Sequence, residues 1–155
     1  MKLEVKNGTF GYGNKTILEN INFEIGDKTI MTVLGPNGVG KTTMLKCIMG
    51  FLKWTRGENY LDGKRIDSYS DKEFWKKTGY VPQAKRSVFS YRCIDMVVMG
   101  LSSKQKFFEV PSKESYEKAE RVMELLGIAD LAGKYCNALS GGELQMIMIA
   151  RAMIS

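Results

Sequence analysis

An α/β core followed by a helical region is the fold class this sequence predicts, and three patterns predict it. A mostly apolar run, Thr29-Ile30-Met31-Thr32-Val33-Leu34, suits a buried parallel strand. It passes through the glycine-rich stretch GPNGVGKTT into Met44, Leu45, Ile48 and Met49 at helical spacing. Leu3 and Val5, then Ile21, Phe23 and Ile25, alternate with polar neighbours as half-buried strands do. From about Ala84 the period becomes helical, with Ile94, Val97, Val98 and Leu101, then Tyr116, Ala119, Met123 and Leu126, recurring on single faces.

Taken in order, the Leu3–Val5 strand leads to Phe10-Gly11-Tyr12-Gly13, which reads as a turn carrying two aromatics. The Ile21–Ile25 strand stops at Gly26-Asp27, and the helix after the glycine-rich stretch stops at Gly50. Tyr60-Leu61-Asp62-Gly63 predicts a short strand running into a hairpin. Ser70-Asp71-Lys72-Glu73 is a capping box opening a short helix through Phe74 and Trp75, and Tyr80-Val81-Pro82-Gln83 is extended before its proline. A helix over 90–101 and a basic, aromatic loop over 104–111 follow. Ser112 then caps a helix that ends at Gly127. A short turn or helix through 128–132 precedes Leu139-Ser140-Gly141-Gly142-Glu143 and a last helix, Leu144 to Met153. No internal repeat and no low-complexity linker interrupts the chain.

The stretch Gly35–Thr43 fits G-x-x-x-x-G-K-[ST], with Gly35, Gly40, Lys41 and Thr42 in the fixed positions, between a predicted strand and a predicted helix. In that setting backbone N–H groups point at phosphate oxygens and the helix N-terminus favours negative charge. Lys41 reaches terminal phosphates and the Thr42 hydroxyl suits Mg²⁺. Ser140-x-x-Glu143 is a second capping box, and its two glycines leave the following helix N-terminus open to an anion.

Composition narrows the classes. The 155 residues are 44% hydrophobic, enough for a sizeable core, and carry 23 Lys+Arg against 17 Asp+Glu, a net +6. The basic residues form no dense cluster, so they read as solvated faces and an attraction for nucleotide phosphate; no nucleic-acid partner is expected. Three separated cysteines with no CxxC pair and no histidine argue against a zinc site and fit free thiols in a reducing cytoplasm. No apolar run reaches bilayer length, so a soluble chain that meets a membrane only through a partner is expected.

LSGGE at Leu139–Glu143, followed by Gln145 and Ala150-Arg151-Ala152, resembles the signature motif of ATP-binding cassette (ABC) ATPases, and GPNGVGKTT resembles that family's Walker A. Gln83 matches the Q-loop, and Tyr12 stands where the family places an aromatic against adenine. Four motifs in family order cover essentially the whole chain. The resemblance implies a P-loop NTPase core, with a mixed sheet around the phosphate loop, an antiparallel β part and an α-helical subdomain, incomplete at the C-terminus. Its implied divisions are a nucleotide-binding core over 1–83, a helical subdomain over 84–138, and the signature motif with the start of the return to the core over 139–155.

The resemblance also assigns roles. Tyr12 stacks on the base, and Gly35, Pro36, Asn37, Gly38, Val39, Gly40, Lys41, Thr42 and Thr43 form the loop that holds the ATP phosphates. Thr42 and Gln83 hold Mg²⁺ and sense the γ-phosphate. Ser140, Gly141, Gly142 and Glu143 face the ATP of a second ATP-binding subunit, in an expected homodimer. The implied setting is the cytoplasmic face of the cell membrane, against a permease. Asp95-Met96-Val97-Val98-Met99-Gly100 resembles a segment of importers for iron–siderophore, haem and cobalamin, although an ordinary amphipathic helix packing inside its own subdomain explains the same residues.

After the signature helix the family has an apolar strand ending in Asp-Glu, and then a loop histidine. These 155 residues contain neither, so no catalytic residue is assigned; the chain as given is expected to bind ATP and to hydrolyse it little or not at all. The family's missing strands flank Thr29–Leu34, so open sheet edges and domain swapping or intimate oligomerisation are expected. Other readings are a naturally truncated, non-catalytic nucleotide-binding protein and a DNA-repair or chromosome-organising ATPase. The second is disfavoured because 84–138 holds no heptad coiled coil. A GTPase is disfavoured because no NKxD occurs.

Overall fold

The computed structural model describes residues 1–84, 90–103 and 110–154. The chain divides into two compact units, Met1–Phe74 and Trp75–Ser155, and each is described by itself.

The first unit is built on a four-stranded antiparallel sheet in the order β2-β1-β3-β4: β1 Leu3–Tyr12, β2 Lys15–Ile25, β3 Arg56–Leu61 and β4 Lys64–Arg65. The alternation read from the sequence sets the register. Val5 lies opposite Phe23 on one side and Asn59 on the other. The predicted hairpin forms at Asp62-Gly63, with φ of 51° and 75°, the left-handed pair that a two-residue connection requires. Tyr12 departs from expectation: β1 runs through it and the turn falls on Gly13-Asn14, so Tyr12 is the last strand residue, opposite Lys15. Strand pairing continued past Gly11 because nothing in Phe10-Gly11-Tyr12 demands a positive φ until Gly13.

Helix α1, Lys41–Ile48, packs Met44, Cys47 and Ile48 against Val5, Phe10 and Leu18 to form this unit's core. Leu45, expected on the inner face, is 45% exposed, and Cys47 at 0% takes its place. The short helix α2, Asp71–Lys77, opens on the predicted capping box: the Ser70 amide donates to Glu73 Oε2 at 3.0 Å and the Glu73 amide to Ser70 Oγ at 3.4 Å.

The Thr29–Leu34 expectation requires a correction. The run forms no strand among the described residues; Ile30 is 93% and Leu34 85% exposed, and Val33 alone of the run packs on the core. A parallel strand exists only between neighbours that satisfy its N–H and C=O groups. The sheet present is the antiparallel one, which ends at β2 and β4. Of the expected mixed sheet, the antiparallel part is therefore what these residues form.

The second unit is helical. It comprises α3 Cys93–Val98, continued as a 3₁₀ turn over Met99–Ser103, α4 Lys113–Leu125 and α5 Gly141–Met153. Short 3₁₀ turns, Ala129–Leu131 and Cys136–Ala138, join α4 to α5. Ser112 caps α4 as predicted, its hydroxyl accepting from the Ser115 amide at 3.3 Å, and the Gly127 amide closes the helix onto Glu124 O at 2.9 Å. The core gathers Cys93, Val97, Ala119, Met123, Ile147 and Ala150. The predicted loop over 104–111 lies outside the described residues except at Val110 and Pro111.

Candidate nucleotide-binding site

The phosphate loop is held from three directions within the first unit. At its C-terminal end α1 is fastened by Asn59 of β3, whose Nδ2 donates to Ile48 O at 2.7 Å and to Cys47 O at 3.1 Å. Along its length α1 buries the face already described. At its N-terminus, Gly40 sits at φ 106°, and a Cβ there would come within 3.0 Å of Ile17 Cγ2 and 3.1 Å of Leu18 Cδ2. That close approach brings the loop against the start of β2, directly after the hairpin end that carries Tyr12. The Tyr12 ring is 55% exposed and meets the Phe10 ring at a right angle, 5.0 Å between centroids.

The helix start is bare. Gly40 provides no side-chain cap and the first turn holds no acidic residue. The first turn's N–H groups have no intrahelical acceptor by position, and the Met44 amide bonds back to Gly40 O at 2.8 Å. Gly38 (φ 84°) and Gly40 take positive φ, the backbone conformation from which anion-binding nests of N–H groups are built. Lys41 Nζ donates to Gly35 O at 2.7 Å and Pro36 O at 2.8 Å, which places the ammonium on the loop itself. Gly35, Pro36, Asn37, Gly38, Val39 and Thr42 are all exposed, and Thr43 is half-buried. These groups suit a polyphosphate: donors, a fixed cation and a free helix dipole, with no carboxylate in the loop to repel it.

In the first unit the Thr42 hydroxyl, a hard oxygen on an exposed side chain, suits Mg²⁺ in the manner of a nucleotide-bound cation. Gln83, in the second unit, carries an exposed carboxamide. Among the described residues no group of three His, Cys, Asp or Glu side chains could hold a metal ion.

In the second unit, Ser140 starts α5 with a complete capping box. Its Oγ accepts from the Glu143 amide at 3.3 Å, and its own amide donates to Glu143 Oε2 at 2.8 Å. The Ser140 hydroxyl and amide together hold the Glu143 carboxyl below its ordinary range. The cap and an anion-facing surface coexist here. Gly141 and Gly142 are exposed with open space where a Cβ would lie, so the backbone at the helix start stays open to an anion.

Sequence reasoning missed two residues. Asn59 fastens the phosphate-loop helix, and Gln145 bonds the backbone on both sides of Gln83. Both act across long separations, which no local pattern reveals, though Gln145 was visible as part of the signature resemblance. In the segment Asp95–Gly100, Met96, Val97 and Val98 are buried in the unit's own core. A cleft of about 330 Å³ in this unit, bordered by Trp75, Tyr80, Pro82, Met99 and Arg151, includes none of the predicted site residues.

The family profile described as "ABC transporter" matches residues 18–155. The chain belongs to the ABC transporter family. This ABC chain is 39% identical over 153 residues to an uncharacterised ABC transporter ATP-binding protein of Haemophilus influenzae, matching 99% of its own length and 58% of the relative's. It is 36% identical over 155 residues to a "Probable iron chelatin transport ATP-binding protein" of Helicobacter pylori, matching 99% of its own length and 61% of the relative's. The ABC chain thus spans about three-fifths of the curated relatives it matches. Among solved structures it resembles an inward-facing transporter described as of metal-chelate type, with TM-score 0.82 and 33% identity over 99% of this chain and 55% of that one. It also resembles a dimeric cassette bound to ADP and Pi, with TM-score 0.78 and 28% identity over 98% of this chain and 69% of that one. The fold is therefore the P-loop ABC ATPase fold, with its antiparallel β part and helices. Members of this family bind ATP and ADP and work as dimers with permease subunits. No helix among the described residues is long and apolar enough to cross a membrane.

Proposed function

We propose that this chain is the ATP-binding part of an ABC importer subunit, coupling ATP binding and hydrolysis to substrate movement through a membrane permease. The observation that carries it is the uncapped start of α1, with Lys41 held on the loop and positive φ at Gly38 and Gly40. By the family pattern, Gly35–Thr43 takes the phosphates and Tyr12 the base. Thr42 and Gln83 hold Mg²⁺, and Ser140–Glu143 face the ATP of a second subunit. The relatives' names support a metal chelate, such as an iron complex, as the transported class, with haem and cobalamin the neighbouring chemistries. The chain then lies on the cytoplasmic face of the membrane, held there by the permease. The divisions at 84 and 139 follow the same pattern.

Of the reaction itself, these 155 residues supply charge neutralisation and positioning of the phosphates. They contain no Asp-Glu pair and no histidine, so we assign them ATP binding with little or no hydrolysis. The same loop geometry also suits a second reading, a non-catalytic nucleotide-binding protein. Calorimetric titration of Mg·ATP into the chain, with Lys41→Ala as control, tests the site: binding lost in the variant is expected, and binding unchanged in it overturns the proposal. Adding the permease-bearing membrane fraction separates the two readings, since a transport subunit co-sediments with it and a free nucleotide-binding protein does not.

A further inference from the structure

We propose that Gln145 is a positioning residue that ties Gln83 to the signature helix. Gln145 lies in the second turn of α5, whose first residues carry Ser140–Glu143. The Ala84 amide donates to Gln145 Oε1 at 2.8 Å, and Gln145 Nε2 donates to Pro82 O at 3.3 Å. One planar carboxamide therefore holds the peptide groups on both sides of Gln83, across 61 and 63 residues of sequence, and leaves the Gln83 side chain exposed. A carboxamide offers an acceptor and a donor on one rigid planar group, which is what this pair of opposite backbone groups demands. Both bonds are partly buried, so water competes poorly for them.

The helix at the other end of this link is stiff. Ile147 and Ala150 are fully buried, and the capping box fixes its first turn. A displacement of Ser140–Gly142 carried by α5 as a body therefore moves the carboxamide, and with it the backbone that aims Gln83. The inference rests on the reading of Gln83 and Ser140 as ATP-responsive residues. Its consequence is that the two motifs report as one.

Amide exchange by NMR on the 155-residue chain tests the link. In Gln145→Leu the Ala84 amide is expected to exchange about tenfold faster, while Ile147 and Ala150 amides hold their wild-type rates. An unchanged Ala84 rate overturns the link. Should that variant lose α5, the wild-type chain still decides: a scalar coupling across the hydrogen bond, from Ala84 nitrogen to the Gln145 side-chain carbonyl carbon, is expected, and its absence overturns the proposal. The functional arm is the ratio of Mg·ATP to Mg·ADP affinity. Equal loss of that ratio in Gln83→Ala and Gln145→Leu supports positioning. Loss in Gln83→Ala alone overturns it and leaves the ATP-binding reading standing. No loss in Gln83→Ala overturns the assigned role of Gln83, and the proposal with it.

Discussion

Replacing Asn59 tests whether the phosphate-loop helix is held from its far end. Its Nδ2 satisfies Ile48 O at 2.7 Å and Cys47 O at 3.1 Å, two carbonyls at the end of α1, in a partly buried setting. Each such bond contributes about 0.5–1.5 kcal/mol net, so Asn59→Ala is expected to cost the first unit about 1–3 kcal/mol. Asn59→Asp is expected to cost more. It turns an acceptor toward two acceptors and adds a negative charge at the negative end of the helix dipole, worth about 0.3–1 kcal/mol further. The new carboxyl's pKa is raised in the fold, so its protonated form is the stabilising one. Stability is then recovered as pH falls toward about 4 and lost as pH rises above it. Urea unfolding followed by Trp54 fluorescence, in a Trp75→Phe background, reads this unit, because Trp54 packs on the same core as α1. An Asp variant as stable as the Ala variant, or an Ala variant within about 0.3 kcal/mol of wild type, refutes the reasoning.

Other expectations follow from the same geometry. Gly100→Ala would set a Cβ 2.1 Å from Arg151 O and 2.6 Å from Ile154 Cγ2, so a loss of about 1–3 kcal/mol in thermal unfolding of the second unit is expected. Gly141→Ala, with open space around it, should melt at or above the wild-type temperature. Ile147→Ala, at a fully buried site, should cost about 2–5 kcal/mol in the same melt. Burial pushes the Cys47 thiol up to about 11 and the Cys93 thiol up to about 12. Both therefore stay protonated in the fold, and this favours the native state fully below the free thiol's pKa of about 8.5. The advantage is lost as pH rises through the folded values. Native chain at pH 8 should accordingly resist a thiol-reactive disulfide reagent that labels all three cysteines in denaturant, and rapid native labelling of Cys47 or Cys93 would refute their burial.

Much of this architecture was legible because its signals are local. The Ser70 and Ser140 capping boxes, the Ser112 cap and the Asp62-Gly63 hairpin each state their geometry within about four residues, and each forms. Thr29–Leu34 was misread for a physical reason: its apolar pattern specifies a strand only when neighbours exist to pair with it, and propensity cannot supply a hydrogen-bond partner. Tyr12 was placed one feature late, in a turn, because two flanking glycines outweighed the pairing that carries β1 through it. Asn59 and Gln145 were not legible as fasteners. Each reaches a backbone group that the fold alone brings near, and nothing in RGENYL or in GGELQ announces the partner.

The contact between Lys41 and its own loop has a further consequence. Its ammonium already has two oxygen partners, the carbonyls of Gly35 and Pro36. An arriving phosphate therefore does not meet an idle cation; it outbids two neutral dipoles with a full negative charge. Under the proposed function, nucleotide capture at this loop is an exchange of partners, and its cost is set by how readily those two carbonyls can turn to water.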